Sequence, residues 1–106
     1  MTTRFRVGET LVARVAADRA ERVPGVLALR PSLFGLINKA INRAPEGVTA
    51  SIVDGAAEVT VTVATRLGHR CADVAVAVQD AVADAVTAYT GLPTTVSVTI
   101  AEIQAR

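Results

Sequence analysis

The strongest candidate for chemistry is a short stretch that holds a histidine, a cysteine and a carboxylate: His69, Cys71 and Asp73. An imidazole and a thiolate can bind a metal ion or act together as base and nucleophile. The chain has only one histidine and one cysteine, however, so a zinc site would need carboxylates or a second chain. We therefore interpret His69 as a loop residue and Cys71 as a small packed side chain, and we predict no metal site.

Other reaction classes find no support in the residue types. Serine catalysis would require His69 to meet a serine and an acid, but Ser51 and Ser97 alternate with apolar residues, as outward-facing strand residues do. The sequence contains no phosphate-binding loop, dinucleotide fingerprint or calcium loop. The carboxylates that recur in the predicted helices have the spacing of solvated faces; they are Glu9, Glu21, Asp80 and Asp84. We expect a protein that is not an enzyme, with no cofactor and no catalytic residue.

The length and the cysteine count indicate the class of protein. A chain of 106 residues is long enough for one core, so we predict a single domain over residues 1–106. One cysteine excludes an internal disulfide framework and fits a reducing cytoplasm. No apolar run approaches the ~20 residues that span a bilayer, and the N-terminal residues lack the apolar block of a signal peptide. The sequence therefore predicts a cytoplasmic protein with no transmembrane segment.

The net charge is only +1, but opposite charges concentrate in two regions. Residues 1–30 carry six arginines and three carboxylates, whereas residues 71–93 carry three aspartates and no basic residue. The structural interpretation is that two helices lie side by side with complementary charge. The functional interpretation is a basic surface around Arg14 and Arg22 that contacts an acidic partner, an anionic membrane or RNA. Sheets that bind RNA use aromatic stacking platforms, and these strands offer threonine and serine instead, which argues against nucleic acid as a partner.

A helix between two strands forms the centre of the predicted fold. Helical spacing places one apolar stripe on residues 73–90, with Asp73 as the expected N-cap and Gly91 as the residue that ends the helix. The stripe consists of Val74, Val78, Ala81, Val82, Ala85 and Tyr89. Alternating valine rows precede and follow the helix, and we expect Val59, Val61, Val63, Val96, Val98 and Ile100 to face it. The sequence thus predicts a helix packed on the apolar side of a sheet.

The dipeptide Asp54–Gly55 predicts a two-residue hairpin turn. Folding the chain there makes five cross-strand pairs, and these are Ile52–Ala57, Ala50–Val59, Val48–Val61, Thr49–Thr60 and Ser51–Glu58. Both strands then agree on which face is apolar, and a slip of one residue would destroy that agreement. The register of the hairpin is therefore fixed by the sequence.

The opposite face of this sheet is predicted to be rich in hydroxyl groups. Its residues are Thr49, Ser51, Thr60, Thr62, Ser97 and Thr99, with Glu58 as the only charge among them. Such a face is typical of a solvated antiparallel sheet. It is also a candidate surface for self-association, because no charge repels an identical copy.

The remaining segments complete the pattern. Residues 8–22 predict a first helix whose apolar face is Leu11, Val12, Val15, Ala16 and Val23, and Val26 to Leu29 predicts a short strand. Residues 31–47 are compatible with a short helix that covers the core, or with a basic amphipathic patch that contacts a partner or a membrane surface. The candidate contact residues there are Leu33, Phe34, Ile37, Lys39, Ile41 and Arg43.

These elements predict an α+β fold in two layers, with the order α-β-β-β-α-β and two main helices on one face of a three- to four-stranded mixed sheet. Several of its local patterns resemble the alkaline shock protein family, which comprises general stress and envelope stress response proteins of bacteria. The residues that carry the resemblance are Gln79, Val82 and Val86 in the second helix, Thr90-Gly91-Leu92 at its end, the strand Val96 to Ile100, the turn Val23-Pro24-Gly25-Val26, and Gly47-Val48 before the hairpin.

The resemblance implies a non-enzymatic protein of cell-envelope homeostasis that acts as a scaffold or adaptor. It implies a protein partner, such as a membrane-anchored family member, and a tendency to form homo-oligomers. The expected location is the cytoplasm, with peripheral attachment at the inner face of the cell membrane. The resemblance implies no catalytic residue. The alternative is a small RNA-binding module that uses the arginine-rich first helix.

Overall fold

The computed structural model describes residues 2–30 and 47–104, with side chains from residue 8 onward. Its elements are α1 (Thr2–Glu21), β1 (Val26–Leu29), β2 (Val48–Val53), β3 (Ala56–Arg66), α2 (Cys71–Thr90) and β4 (Thr94–Gln104). The predicted order α-β-β-β-α-β and the α+β class are confirmed. The predictions for residues 31–46, including the short helix, lie outside the described residues.

Strand β3 is the centre of the sheet. One of its edges pairs in parallel with β4, and the other edge pairs antiparallel with β2 and then with β1. The strands β1 and β2 therefore lie end to end along the same edge. Thr62 joins them, because its carbonyl accepts a 2.8 Å hydrogen bond from the Arg30 amide and its own amide donates one of 2.8 Å to the Gly47 carbonyl. The sheet is mixed, as predicted.

The hairpin between β2 and β3 has the predicted register. All five predicted pairs are present, and the pairing continues to Val53 opposite Ala56. Asp54 and Gly55 both have positive φ, at 51° and 76°, which a two-residue turn of this kind requires. The agreement arises because a single turn dipeptide and a two-residue period determine the pairing locally.

Both helices pack on the same face of the sheet, with α1 against β1 and β2 and α2 against β4. Among the described residues the buried core consists of valine and alanine side chains. They are Val12, Ala13, Ala16, Ala17, Ala20, Val23, Val26, Val48, Ala57, Val59, Val61, Val63, Val74, Val78, Val82 and Val86. Because these side chains are small, the helices lie close to the sheet and to each other.

The second helix departs from the prediction at its N-terminal end and in its buried face. It begins at Cys71, and its N-cap, Arg70, makes no side-chain cap hydrogen bond; Asp73 lies in the first turn, where its charge still favours the positive helix end. Gly91 ends the helix with φ 74°, as predicted. The buried row is Val74, Val78, Val82 and Val86. Tyr89 is 59% exposed, so its assignment to the predicted apolar stripe was wrong. The buried residues of α2 follow one another at intervals of four, and the last of them is Val86.

The first helix also differs from its prediction. It begins at Thr2 rather than at residue 8, and its buried face is Val12, Ala13, Ala16, Ala17 and Ala20. Leu11 is 39% exposed and Val15 is only half-buried. Most of the buried residues of α1 are alanines, because this helix packs closely against both the sheet and α2. The prediction assigned the buried face to the larger apolar residues and therefore placed Leu11 in the core, whereas the buried positions are occupied mainly by alanine.

Gly25 lies in the turn between α1 and β1, where the backbone permits no side chain. Its φ is +94°, and a Cβ atom there would lie 2.8 Å from Cγ2 of the buried Val74 and 3.0 Å from Nδ1 of His69. Gly55 has a similar φ of +76° but open space around it. A side chain at Gly55 would therefore cause backbone strain alone, whereas a side chain at Gly25 would cause both backbone strain and steric overlap.

We predict that Gly25→Ala lowers the free energy of unfolding by about 3 kcal/mol or more, and that Gly55→Ala lowers it by only about 1–2 kcal/mol. The difference arises because Val74 is fixed in a helix and cannot move away. Urea denaturation of the two variants and the parent protein measures both values. Equal losses would show that the turn after α1 does not pack against Val74 as described.

Candidate interaction surfaces

The outer edge of β4 presents unpaired backbone groups. Ala57 lies opposite Thr94, and its amide donates a 2.8 Å hydrogen bond to the carbonyl of Pro93. In a parallel ladder the bonded residues alternate, so Pro93, Thr95 and the following odd-numbered residues bond to β3. The amides and carbonyls of Thr94, Val96, Val98 and Ile100 therefore point away from β3. No other described strand pairs with this edge.

Gln79 of α2 contacts that edge at one point. Its Nε2 donates a 3.3 Å hydrogen bond to the carbonyl of Val96. The contact confirms that the Val96 carbonyl is not used by β3, because it points outward to where a helix side chain can meet it. A side-chain amide can satisfy one acceptor of an edge strand in this way, but it leaves the neighbouring groups to solvent.

Glu9 of α1 also hydrogen-bonds a backbone group of an edge strand, at the opposite edge of the sheet. Its Oε2 accepts a 3.2 Å hydrogen bond from the amide of Ile52, in β2. Ile52 lies opposite Ala57, whose backbone groups face β4, so the Ile52 amide points to the free edge of β2. Each helix thus supplies one polar side chain to one sheet edge. The interpretation of Glu9 as a solvated helix residue was wrong.

The face of the sheet opposite the helices carries the predicted hydroxyl groups. Thr60, Ser97 and Thr99 are exposed and lie close together, since Thr60 is opposite Ser97 on the neighbouring strand. Thr49 is half-buried. Thr62 is only 6% exposed, so it contributes little to an accessible surface. The accessible part of this face is therefore an uncharged patch on β3 and β4.

An ion pair crosses one end of the same face. Nε of Arg30, which follows β1, lies 2.9 Å from Oε1 of Glu102 in β4, and Oε2 of Glu102 accepts a 2.6 Å hydrogen bond from Gln104. Glu102 is opposite Ala64 of β3, so the ion pair spans the central strand. Ala64 is fully buried although it faces away from the helices. The ion pair therefore lies at the buried end of the face, which also includes Thr62.

The helix layer brings opposite charges together without pairing them. Arg19 of α1 and Asp84 of α2 line an open depression of about 420 Å³ together with Ala81, Ala85 and Ala88. Among the described residues no ion pair within 4 Å joins the two helices. Arg22, which follows α1, pairs with Asp18 of that helix at 3.3 Å, and Arg14 is exposed. The predicted basic surface is therefore present at Arg14 and partly neutralised at Arg22.

The His69–Cys71–Asp73 cluster shows no arrangement for chemistry. The exposed His69 ring lies against Gly25, and Sγ of the half-buried Cys71 lies 3.9 Å from Oγ1 of Thr65. Within residues 2–30 and 47–104 no three histidine, cysteine or acidic side chains are grouped so that they could hold a metal ion. The predicted contact residues of the 31–47 segment lie outside the described residues; they are Leu33, Phe34, Ile37, Lys39, Ile41 and Arg43.

Comparison with known families decides the relationship. The model of the alkaline shock protein 23 family, described as having a cell envelope-related function, matches residues 2–105. The chain belongs to this family. The resemblance found in the sequence is thereby confirmed. Comparison with curated proteins finds no match.

Solved structures with a similar fold come from a domain named MamM CTD. The copper form of MamM CTD has a TM-score of 0.53 and 17% identity over 87% of this chain and 82% of that one. A histidine-to-alanine variant has a TM-score of 0.54 and 17% identity over 87% and 94% of the two chains. At such low identity the likeness concerns the fold alone. It places this alkaline shock family member in a known α+β architecture.

The described part of this family member contains no helix with the length and apolarity needed to cross a membrane.

Sequence reasoning located its hydroxyl patch and its basic helix. It missed the two edge contacts of Glu9 and Gln79, because each joins residues far apart in the chain. The only available signal was that both residues are long polar side chains near the border of an apolar helix face.

We predict that Glu9→Ala and Gln79→Ala each lower the free energy of unfolding of this family member by about 1 kcal/mol, the usual net value of a hydrogen bond to a half-buried backbone group. Glu9→Gln retains an acceptor and should recover most of the loss. The exposed neighbours provide the controls: Glu21→Ala and Asp80→Ala should change stability by less than about 0.5 kcal/mol. Chemical denaturation of the five variants tests the edge contacts, which are refuted if the variants do not differ.

Proposed function

We propose that this protein is a non-enzymatic scaffold or adaptor of the cell envelope, which acts through protein–protein contact near the membrane. The family match supports an envelope-related role. The role as a scaffold or adaptor rests on the surface chemistry of the sheet. Its partner is a protein, such as a membrane-anchored member of the same family, and the chain itself forms homo-oligomers.

The observation that carries the proposal is the uncharged hydroxyl patch on β3 and β4. Thr60, Ser97 and Thr99 are exposed side chains on two neighbouring strands that are hydrogen-bonded to each other. Threonine and serine hydroxyl groups donate and accept hydrogen bonds and bring no charge that must be neutralised on contact. A rigid surface with such groups suits a protein contact, because little conformational entropy is lost when it binds.

The proposed location at the inner face of the membrane depends on the partner. Among residues 8–22 the exposed cations Arg14, Arg19 and Arg22 alternate with the exposed carboxylates Asp18 and Glu21, so this described part of the chain is not a strongly basic membrane-binding surface. The proposal therefore assigns membrane attachment to a protein and not to lipid. That assignment can be tested directly.

We predict that the purified protein co-sediments with native bacterial membranes from a source that encodes the family, but not with vesicles made from the extracted lipids of the same membranes. Protease treatment of the membranes should abolish the binding, because the proposed receptor is a protein. Thr60→Lys combined with Thr99→Lys should reduce membrane binding at least roughly tenfold by burying charge in the contact.

Asp80→Lys is the matched control, since it adds the same charge on the helix side and should leave binding unchanged. Equal binding to lipid vesicles would refute attachment through a protein partner. The alternative function, RNA binding by the first helix, predicts a salt-sensitive gel shift that is lost in Arg14→Glu/Arg22→Glu. No contact among the described residues favours that alternative, and Arg22 is already paired with Asp18.

A further inference from the structure

The segment Thr94–Ile100 of β4 is a long edge without the usual protection. Strand β4 has 11 residues, about twice the usual length of a strand. Edge strands are commonly protected by lysine, proline or a bulge. Between residues 94 and 100 there is no charge and no proline, and the only bulge follows at Ala101, where the register with β3 shifts. Pro93 precedes the segment, so the open edge is bounded at both ends.

The unpaired groups of this segment are regularly spaced. The amides and carbonyls of Thr94, Val96, Val98 and Ile100 point away from β3, as the hydrogen bond from Ala57 to Pro93 requires. Their side chains point to the helix layer and are all half-buried. Of these groups, the Val96 carbonyl alone has a hydrogen-bond partner within residues 2–30 and 47–104, and that partner is Gln79. A second strand laid along this edge would therefore meet donors and acceptors in ladder order.

The sequence of the segment is nearly symmetric about Ser97. Thr95 and Thr99 stand at equal distances from it, and so do Val96 and Val98. In an antiparallel pair of identical strands centred on Ser97, threonine would lie opposite threonine and valine opposite valine. Such cross-strand pairs are favourable, and no like charges would be opposed. The residues that pair would also have matching backbone groups, because both members of each pair are even-numbered or both are odd-numbered.

We propose that the β4 edge is a self-association site, at which β4 pairs antiparallel with β4 of a second copy about a two-fold axis through Ser97. The two four-stranded sheets become one continuous sheet with the helices of both copies on the same side. An isologous contact of this kind closes on itself and forms a dimer. Its main-chain hydrogen bonds come from the groups that β3 leaves free.

Gln79 has a defined part in this contact. In the single copy it satisfies the Val96 carbonyl at 3.3 Å. In the dimer the amide of Val98 from the second copy donates to that carbonyl, and Gln79 becomes available to solvent or to the partner helix. The half-buried side chains of Val96 and Val98 lose their remaining exposure against each other across the two-fold axis. The pairing rests on the homo-oligomer of the proposed function and names its interface, and it does not require a membrane partner.

Cysteine cross-linking tests the register. In a Cys71→Ser background, Ser97→Cys places two thiols opposite each other at a non-hydrogen-bonded pair, where Cα atoms lie about 4.5 Å apart, within the range that a disulfide spans. Thr95→Cys is the matched control on the same strand and the same exposed face. Its own copy would lie four residues away across the pair, roughly 13 Å along the strand. Ser97→Cys should form disulfide-linked dimers at least roughly tenfold faster than Thr95→Cys under mild oxidation.

A mixed experiment fixes the antiparallel orientation. Thr95→Cys and Thr99→Cys proteins, both with Cys71→Ser, should cross-link to each other faster than either links to itself, because residue 95 lies opposite residue 99. Cross-linking that is equally fast at all three positions, or absent at Ser97→Cys, would overturn the proposed pairing.

Sedimentation equilibrium tests the contact without a covalent link. The unmodified protein should form a dimer in the micromolar range, and Ser97→Lys should raise its dissociation constant at least roughly tenfold, since two lysines would meet at the axis. Thr60→Lys is the control, because Thr60 is exposed on the same face but one strand away from the edge. It should leave the dimer intact.

Thermal unfolding of both lysine variants verifies that each is folded. A strictly monomeric parent protein at high micromolar concentration would refute the proposal. So would equal loss of the dimer in Thr60→Lys and Ser97→Lys, since that result would assign association to the sheet face and not to its edge. These measurements use the purified chain alone, so their outcome is independent of whether membrane binding is found.

Discussion

The structure depends on the complete hydrogen bonding of β3. This strand is paired on both edges from Ala57 to Arg66, in parallel with β4 on one side and antiparallel with β2 and β1 on the other. Its inward residues Val59, Val61 and Val63 are almost fully buried under two helices. A strand in this position can neither shift its register nor turn over without exposing a valine row and breaking two ladders. Every other element is placed relative to it.

A central strand paired on both sides leaves the unpaired backbone groups at the two outer edges. The helices that cover the core also supply the side chains that meet these groups, with Glu9 on the Ile52 amide and Gln79 on the Val96 carbonyl. The two edges differ in continuity. One edge is divided between β2, with six residues, and β1, with four, whereas the other is the single 11-residue strand β4, so one amide side chain satisfies only a small part of it. The same architecture that stabilises the core therefore creates the surface at which a second copy is proposed to bind.

The parts of the fold that were predictable from sequence are those set by local rules. The hairpin register followed from Asp54–Gly55 and a period of two, and the end of α2 followed from Gly91. The orientation of the helices was less predictable. Tyr89 and Leu11 are exposed because tertiary contacts favoured rows of smaller side chains, which a residue-by-residue hydrophobicity pattern does not rank correctly.

The candidate surfaces also include features that local sequence patterns predict and features that depend on the tertiary fold. Alternation along the strands was enough to locate Thr60, Ser97 and Thr99 on an exposed face. The ion pair between Arg30 and Glu102 was not predictable, because it requires knowing that β1 and β4 lie on opposite sides of β3. The free edge of β4 was also not predictable. The chain passes through α2 between β3 and β4, and the sequence does not show which edge of β3 the strand β4 then pairs with.

Amide hydrogen exchange, resolved by residue in dilute protein, tests the central place of β3 most directly. Every amide of β3 from Ala57 to Thr65 should be among the slowest to exchange, because each is bonded to one neighbour or the other. Along β4 the protection should alternate, with Thr95, Ser97 and Thr99 slow and Val96, Val98 and Ile100 fast. Uniform protection along β4 in the monomer, or fast exchange at alternate residues of β3, would contradict the strand order on which this account rests.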